Sequence, residues 1–165
     1  MKTIAKGITN ATIPMGGVVV REHIHDAILD AAAETAIEFA HGYTYSGHPM
    51  ATAAALATLD LYRDEGLFER AAGLAPYFED AAHALRDLTH VVDIRNLGLV
   101  AAIELAPRPG SKVSRAFEAF LRCFEAGVLV RAAGDVVAIW PPLIIETDQI
   151  DRIFATVAGA LKTMA

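Results

Sequence analysis

The first residues of the chain place an amine among several glycines. Gly7 follows Lys6 directly, and Gly16 and Gly17 come about ten residues later. Glycine adopts backbone conformations that other residues avoid, which is typical of the wall of a site. A lysine near a chain terminus is usually a solvated charge. Lys6 is therefore either an ordinary surface residue or part of a site that belongs to something larger.

A second candidate is the glycine-flanked loop "HGYTYSGHP", which is crowded with hydroxyl and aromatic side chains. This composition is more typical of a functional loop than of a spacer. A hydroxyl such as that of Thr44, beside a backbone amide, suits the oxygens of a phosphate. The alternative is a turn hydroxyl that binds its own backbone. His23 and His25 lie two apart with no third ligand nearby, so we expect no metal site.

The third candidate is Arg131, within "VRAAGD". A guanidinium group binds a carboxylate through two parallel hydrogen bonds, which suits recognition of an acidic substrate. The alternative is a surface arginine of a hairpin, paired with Asp135. We expect Arg95, by contrast, to have a structural role.

The composition excludes several kinds of partner. The formal net charge is −6, which leaves no basic stripe for nucleic acid. Glycine, proline or charged residues interrupt every apolar stretch well before the roughly 18 residues of a membrane span. The single Cys123 fits a reducing compartment, and we identify no secretion signal at the start of the sequence. We therefore expect a cytoplasmic protein with neither a membrane nor a nucleic-acid partner.

The elements that would position Arg131 form an α+β pattern. They are strands near 91–95 and 99–105, a helix from Ser111 or Ser114 to before Gly127, a hairpin turning at 133–135, and a helix capped by Thr147 or Asp148. We expect residues 80–165 to contain about four strands and two or three helices in a compact unit.

The elements around Lys6 and Thr44 are less complete. They are one strand at 17–21, a helix at about 23–33, a helix from Pro49 to before Gly66, and a helix at 67–88 that Pro76 kinks or breaks. One strand and alanine-rich helices cannot bury their own faces. We therefore expect this part to be the edge of a larger α/β domain, with apolar surface that another chain or segment covers.

Three stretches, in this order and at plausible spacing, resemble the class III aminotransferases that depend on pyridoxal 5'-phosphate (PLP). They are "AKGITNATIPMGG", "HGYTYSGHP" and "VRAAGDVVAIWPPL", and "RNLGLVAAIEL" is similar as well. The most similar branch transfers an amino group from an ω-amino acid such as β-alanine, or from an amine, to pyruvate. The resemblance covers essentially the whole chain but only the C-terminal part, a little over a third, of a family member.

The resemblance implies the C-terminal portion of a fold-type I PLP transferase, an α/β fold. The end of the large domain would lie at 1–48, an interdomain helical segment at 49–79, and the small α+β domain at 80–165. It also implies small amine and keto-acid substrates and a homodimer in the full-length enzyme.

The resemblance assigns roles to the candidate residues. Lys6 would form the Schiff base with PLP and move a proton during transamination. Thr44 would bind the cofactor phosphate in the neighbouring subunit's site, with Tyr43 at the same entrance. Arg131 matches a mobile arginine that binds substrate carboxylates and swings aside for apolar amines.

Three family features have no match in this chain. An aspartate under the pyridine nitrogen, an aromatic ring stacked on PLP and the main phosphate-binding turn precede the lysine in the family, and Asp26 and Asp30 are poor substitutes for that aspartate. We therefore expect this chain alone to be inactive and to associate through its apolar surface. The alternatives are a class III aminotransferase with another amino donor and a non-catalytic fragment that only packs or dimerises.

Overall fold

The structure is a computed structural model that describes residues 1–35, 37, 39 and 41–164. It contains two compact units, Met1–Glu65 and Gly66–Ala165. The three-part division expected from the sequence stays a prediction. Three residues of its first part, Ala36, Glu38 and Ala40, lie outside the described residues.

The first unit contains a two-stranded sheet and helices. Its elements are β1 (Lys2–Ala5), a short 3-10 helix (Lys6–Ile8), β2 (Gly16–Val19), α1 (Glu22–Asp30) and α2 (Pro49–Asp64). The prediction of a single strand is wrong, because β1 pairs with β2 in antiparallel register, with Ile4 opposite Gly17. A side chain at Gly17 would place its Cβ 3.2 Å from Ile4 Cγ1. The glycine therefore lets Ile4 pack across the strand pair, and a four-residue strand has too short a pattern to reveal this.

The second unit is an antiparallel sheet with three helices. Its elements are α3 (Leu67–His83), β3 (Val91–Leu97), β4 (Val100–Leu105), α4 (Arg115–Glu125), β5 (Arg131–Ala133), β6 (Val136–Ile139) and α5 (Thr147–Lys162). The strand order is β3-β4-β6-β5, and Gly134 forms the predicted hairpin turn with φ 60°. The expectation of four strands and two or three helices in this region is confirmed.

Local signals predicted some helix ends correctly and others not. Ser114 caps α4, its hydroxyl accepting a hydrogen bond from the amide of Phe117. The cap predicted for α5 is wrong, since Glu146 precedes that helix and forms a reciprocal capping box with Gln149. Of the kink or break predicted at Pro76, the break is wrong, because α3 continues through it and ends at His83; the kink stays a prediction.

The second unit has a continuous apolar core. Phe78 of α3 meets Phe154 of α5 edge to face, with ring centres 5.1 Å apart. Ile103 at the centre of the sheet is fully buried, and so is Cys123 of α4. Burial raises the pKa of the Cys123 thiol to about 11, so this group packs as a neutral apolar side chain.

Two negative findings apply to the described part of the chain. None of its helices combines the length and the apolar character needed to cross a bilayer. No three of its His, Cys, Asp and Glu side chains are grouped closely enough to hold a metal ion.

Candidate functional site

Lys6 lies where β1 ends and the 3-10 helix begins, and its backbone is left-handed with φ 56°. Asn10 and Ala11 share this conformation, with φ 48° and 60°. For residues with a side chain such geometry costs about 1–3 kcal/mol, and it persists only where the surroundings impose it. The expectation that Gly7, Gly16 and Gly17 supply the unusual conformations is wrong, because none of them has a positive φ.

Side-chain hydrogen bonds fix the segment that follows Lys6. The hydroxyl of Tyr62, on α2, donates to the carbonyl of Gly7 at 2.7 Å. Thr9 is buried and donates to the carbonyl of Ile13 at 2.7 Å. The side chain of Lys6 is exposed, and its amine makes no hydrogen bond or ion pair with any described residue. A hydrogen-bonded backbone segment thus carries an exposed amine that has no partner among the described residues.

Thr44 lines a cavity of about 600 Å³ in the first unit, at the start of α2. Ser46 and Gly47 lie in the same wall, and the hydroxyls of Thr44 and Ser46 have no hydrogen-bond partner among the described residues.

Pro49 is the first helical residue, and the first turn has no acidic side chain. Pro49 has no amide hydrogen, and the amide of Thr52 donates to the carbonyl of His48 at 3.0 Å. The amides of Met50 and Ala51 have no helical acceptor, and the helix dipole favours an anion there. The cavity therefore offers hydroxyl and amide donors suited to a phosphate.

Lys6 and Tyr43 do not line this cavity. The ring of Tyr43 packs instead against His41, edge to face with centres 4.7 Å apart. The chain therefore does not bring Lys6 and Thr44 into one cavity.

Arg131 occupies the edge strand β5 of the second unit and is exposed. Its guanidinium carbon lies 5.9 Å from the ring centre of Trp140. Both residues line a cavity of about 420 Å³ whose other walls are largely apolar. No ion pair joins Arg131 to Asp135 within the described residues. The arginine is thus available to bind an anion.

Arg95 shows the contrasting, structural arrangement. It pairs with Glu104 at 2.7 Å and with Asp93 at 2.8 Å on the β3–β4 ladder. Hydrogen bonding to Glu104, and then to Asp93, raises the pKa of Arg95 above its usual value. The expected structural role of Arg95 is confirmed.

Sequence reasoning missed Tyr62, which contacts the neighbour of Lys6, and Trp140, which contacts Arg131. Tyr62 is 55 positions from Gly7, and no local pattern indicates that contact. Trp140 could have been found from the hairpin, because β5 and β6 pair Arg131 with Ala138 and Trp140 lies two residues further along the chain.

Comparisons with known proteins identify the family of the chain. The family model "Aminotransferase class-III" matches residues 1–161. The chain is 55% identical over 158 residues to an omega-aminotransferase of Caulobacter vibrioides, covering 96% of this chain and 36% of the relative. It is 42% identical over 166 residues to a beta-alanine–pyruvate aminotransferase of Pseudomonas aeruginosa, covering 100% and 37%.

Solved transaminase structures also match this chain. An (S)-enantioselective omega-transaminase from Thermomicrobium roseum superimposes with a TM-score of 0.82 at 33% identity, covering 96% of this chain and 36% of that one. The chain spans a little over a third of the length of the curated relatives that it matches. The expected fold, a portion of a PLP transferase with mixed helix and sheet, is confirmed, and class III aminotransferases are PLP-dependent. Because the family model matches residues 1–161, nearly the whole of this chain, the chain belongs to the class III aminotransferases.

Proposed function

We propose that the chain is part of an aminotransferase that moves an amino group between an ω-amino acid or amine and pyruvate. Lys6 forms the Schiff base with PLP in this proposal. The observation that carries it is the state of Lys6: its backbone is held in a left-handed conformation, while its amine has no partner among the described residues. A lysine that stabilises the fold would pair with a carboxylate or a carbonyl, and a merely solvated lysine would not need a left-handed backbone.

The residues present fit part of the cofactor. Thr44, Ser46 and the first turn of α2 offer unpaired donors around the 600 Å³ cavity, which matches the oxygens of a phosphate. When bound, PLP supplies the electron sink of the reaction. Lys6 then holds or returns a proton at its Nζ.

A homodimer would bring Lys6 of one subunit and Thr44 of the other into one cofactor site. Lys6 does not line the cavity of Thr44 in one chain, so Thr44 serves a site that another subunit completes. Tyr43 lies at the entrance of that site in this proposal. Its ring packs on His41, outside the cavity that Thr44 lines.

Arg131 recognises the carboxylate of pyruvate and of ω-amino acids in this scheme. Its guanidinium has no acidic partner among the described residues and lies at a cavity whose other walls are largely apolar. Such a cavity also accepts an amine without a carboxylate once the arginine moves aside.

The test uses an enzyme that joins this chain to the N-terminal part of the Caulobacter omega-aminotransferase. Borohydride reduction with PLP should attach the cofactor to the Lys6 peptide, read by mass spectrometry. Lys6→Ala should abolish the label. Lys6→Arg keeps the positive charge but has no primary amine, so it should abolish the label as well. Lys2→Ala, four residues away on β1, is the matched control and should keep it. Label that persists in both Lys6 variants would overturn the assignment.

A further inference from the structure

We propose that Trp140 is a positioning residue, whose ring holds the guanidinium of Arg131 ready for a carboxylate with a short apolar chain. The inference rests on the proposed carboxylate role of Arg131. It adds a residue and a ligand shape to that role.

The hairpin register brings the two side chains together. Arg131 pairs with Ala138 across β5 and β6, and Trp140 lies two residues beyond Ala138. Trp140 directly follows Ile139, the last residue of β6, which places it close to the diagonal position from Arg131, within reach of a long side chain. The distance of 5.9 Å from the guanidinium carbon to the ring centre falls within the range of a cation–π contact.

This contact leaves the guanidinium able to bind. The guanidinium carbon lies over the ring, 5.9 Å from its centre, and the N–H donors of the group point outward in its own plane. No carboxylate or carbonyl of the described residues occupies those donors. Ordering a long side chain costs conformational entropy when a ligand binds. The contact with the Trp140 ring orders the Arg131 side chain before binding, so less entropy is lost on binding.

The cavity walls indicate what the carboxylate carries. Phe117 and Phe120 of α4, with Leu129, line the 420 Å³ space beside Arg131 and Trp140. Arg131 is the single charged residue in this lining. An acid with a short apolar chain can pair with the guanidinium and bury its chain against these rings.

The test is chemical protection on the full 165-residue chain. Phenylglyoxal modifies exposed arginines, and mass spectrometry follows the peptide that contains Arg131. Propionate should protect Arg131, while propionamide at matched ionic strength should not. The ion-paired Arg95 serves as an internal reference and should not respond to propionate.

Variants isolate the ring. Trp140→Leu keeps apolar bulk and should raise the propionate concentration for half-protection about two- to fivefold, the range of an exposed cation–π contact. Trp140→Phe should restore most of the wild-type value. Phe68→Leu, at an exposed aromatic residue of α3 outside the cavity lining, is the control and should behave as wild type.

A second readout needs no variant of the ring. Trp140 is the only tryptophan of the chain, so its fluorescence should change as propionate neutralises the adjacent cation, and Arg131→Leu should abolish that change. Equal half-protection in Trp140→Leu and wild type would overturn the inference and leave the carboxylate role intact. No protection of Arg131 in the wild-type chain would overturn both.

Discussion

The two units hold their candidate residues in different ways. In Gly66–Ala165 a contiguous cluster that includes Phe78, Ile103 and Phe154 is buried, and the sheet rests on it. In Met1–Glu65 the buried residues among those described are Thr9, Ala51, Ala55 and Thr58, all small. Large apolar side chains there, such as Val18, Leu56 and Tyr45, are exposed. Backbone pairing and hydrogen bonds can shape a segment without giving it a core.

This difference bears on the proposed chemistry. Arg131 lies on the edge of a packed sheet, so its strand needs no further support. Lys6 depends on a left-handed backbone and on hydrogen bonds such as that from Tyr62, with little apolar burial to resist opening. We therefore propose that the first unit becomes rigid when other protein surface covers its exposed apolar residues.

Hydrogen exchange should show the largest difference between the units. The amides of β4 lie in the centre of a sheet, paired to β3 and β6, and should exchange only on global unfolding. The amides of β1 and β2 should exchange by local opening, at least about a thousandfold faster. Similar protection in both sheets would contradict the comparison.

Substitutions of large apolar residues should separate the units by several kcal/mol. Phe78→Ala removes a fully buried ring that contacts Phe154 and should lower the free energy of unfolding by about 3–5 kcal/mol. Leu56→Ala, on the exposed face of α2, should change it by less than about 0.5 kcal/mol. Urea unfolding followed by circular dichroism measures both. An equal loss at the two positions would mean that Leu56 is covered in solution.

Arg131→Ala should affect catalysis and leave the packed unit intact. In the joined enzyme described above, the KM for pyruvate should rise about 10- to 150-fold, because a charge-assisted contact worth about 1.5–3 kcal/mol is lost. Apolar amines without a carboxylate should keep their KM. Steady-state kinetics with both donor classes measures this, and an equal loss for both would assign Arg131 to the fold.

The smallest expected effect comes from a charge cluster of the second unit. Glu118 pairs with Arg108 at 2.8 Å and with Arg122 at 2.6 Å. The hydrogen bond from Arg108, aided by Arg122, lowers the pKa of Glu118. A lowered folded-state pKa stabilises the protein above the unfolded value of about 4.3, and that stability is lost as the pH falls through the folded value.

Because these side chains are partly exposed, we expect about 1 kcal/mol from the cluster. Between pH 7 and pH 3 the free energy of unfolding should fall in both wild type and Glu118→Gln. The loss in Glu118→Gln should be about 1 kcal/mol smaller than the loss in wild type. Glu125→Gln, on the same helix and outside the cluster, is the control and should follow wild type. An identical pH response of all three proteins would contradict the assignment.

Local signals in the sequence determined much of the second unit. Ser111 and Ser114 were the two candidates for the start of α4, because a hydroxyl can satisfy an amide of the first turn, and Ser114 is the one that caps it. Gly134 marked the hairpin because its turn needs a positive φ. The motifs around Lys6, Thr44 and Arg131 also indicated the family, which the comparisons confirm. These features depend on neighbours a few residues apart, so a linear pattern can carry them.

Tertiary structure decided the rest. The pairing of β1 with β2 and the hydrogen bond from Tyr62 to Gly7 join residues whose proximity follows only from the folded backbone. The contact of Trp140 with Arg131 likewise depends on the register of the folded hairpin. The left-handed conformation of Lys6 belongs to the same group, since lysine has no local preference for it. A sequence pattern reports what each residue prefers by itself, whereas these features exist because long-range contacts outweigh that preference.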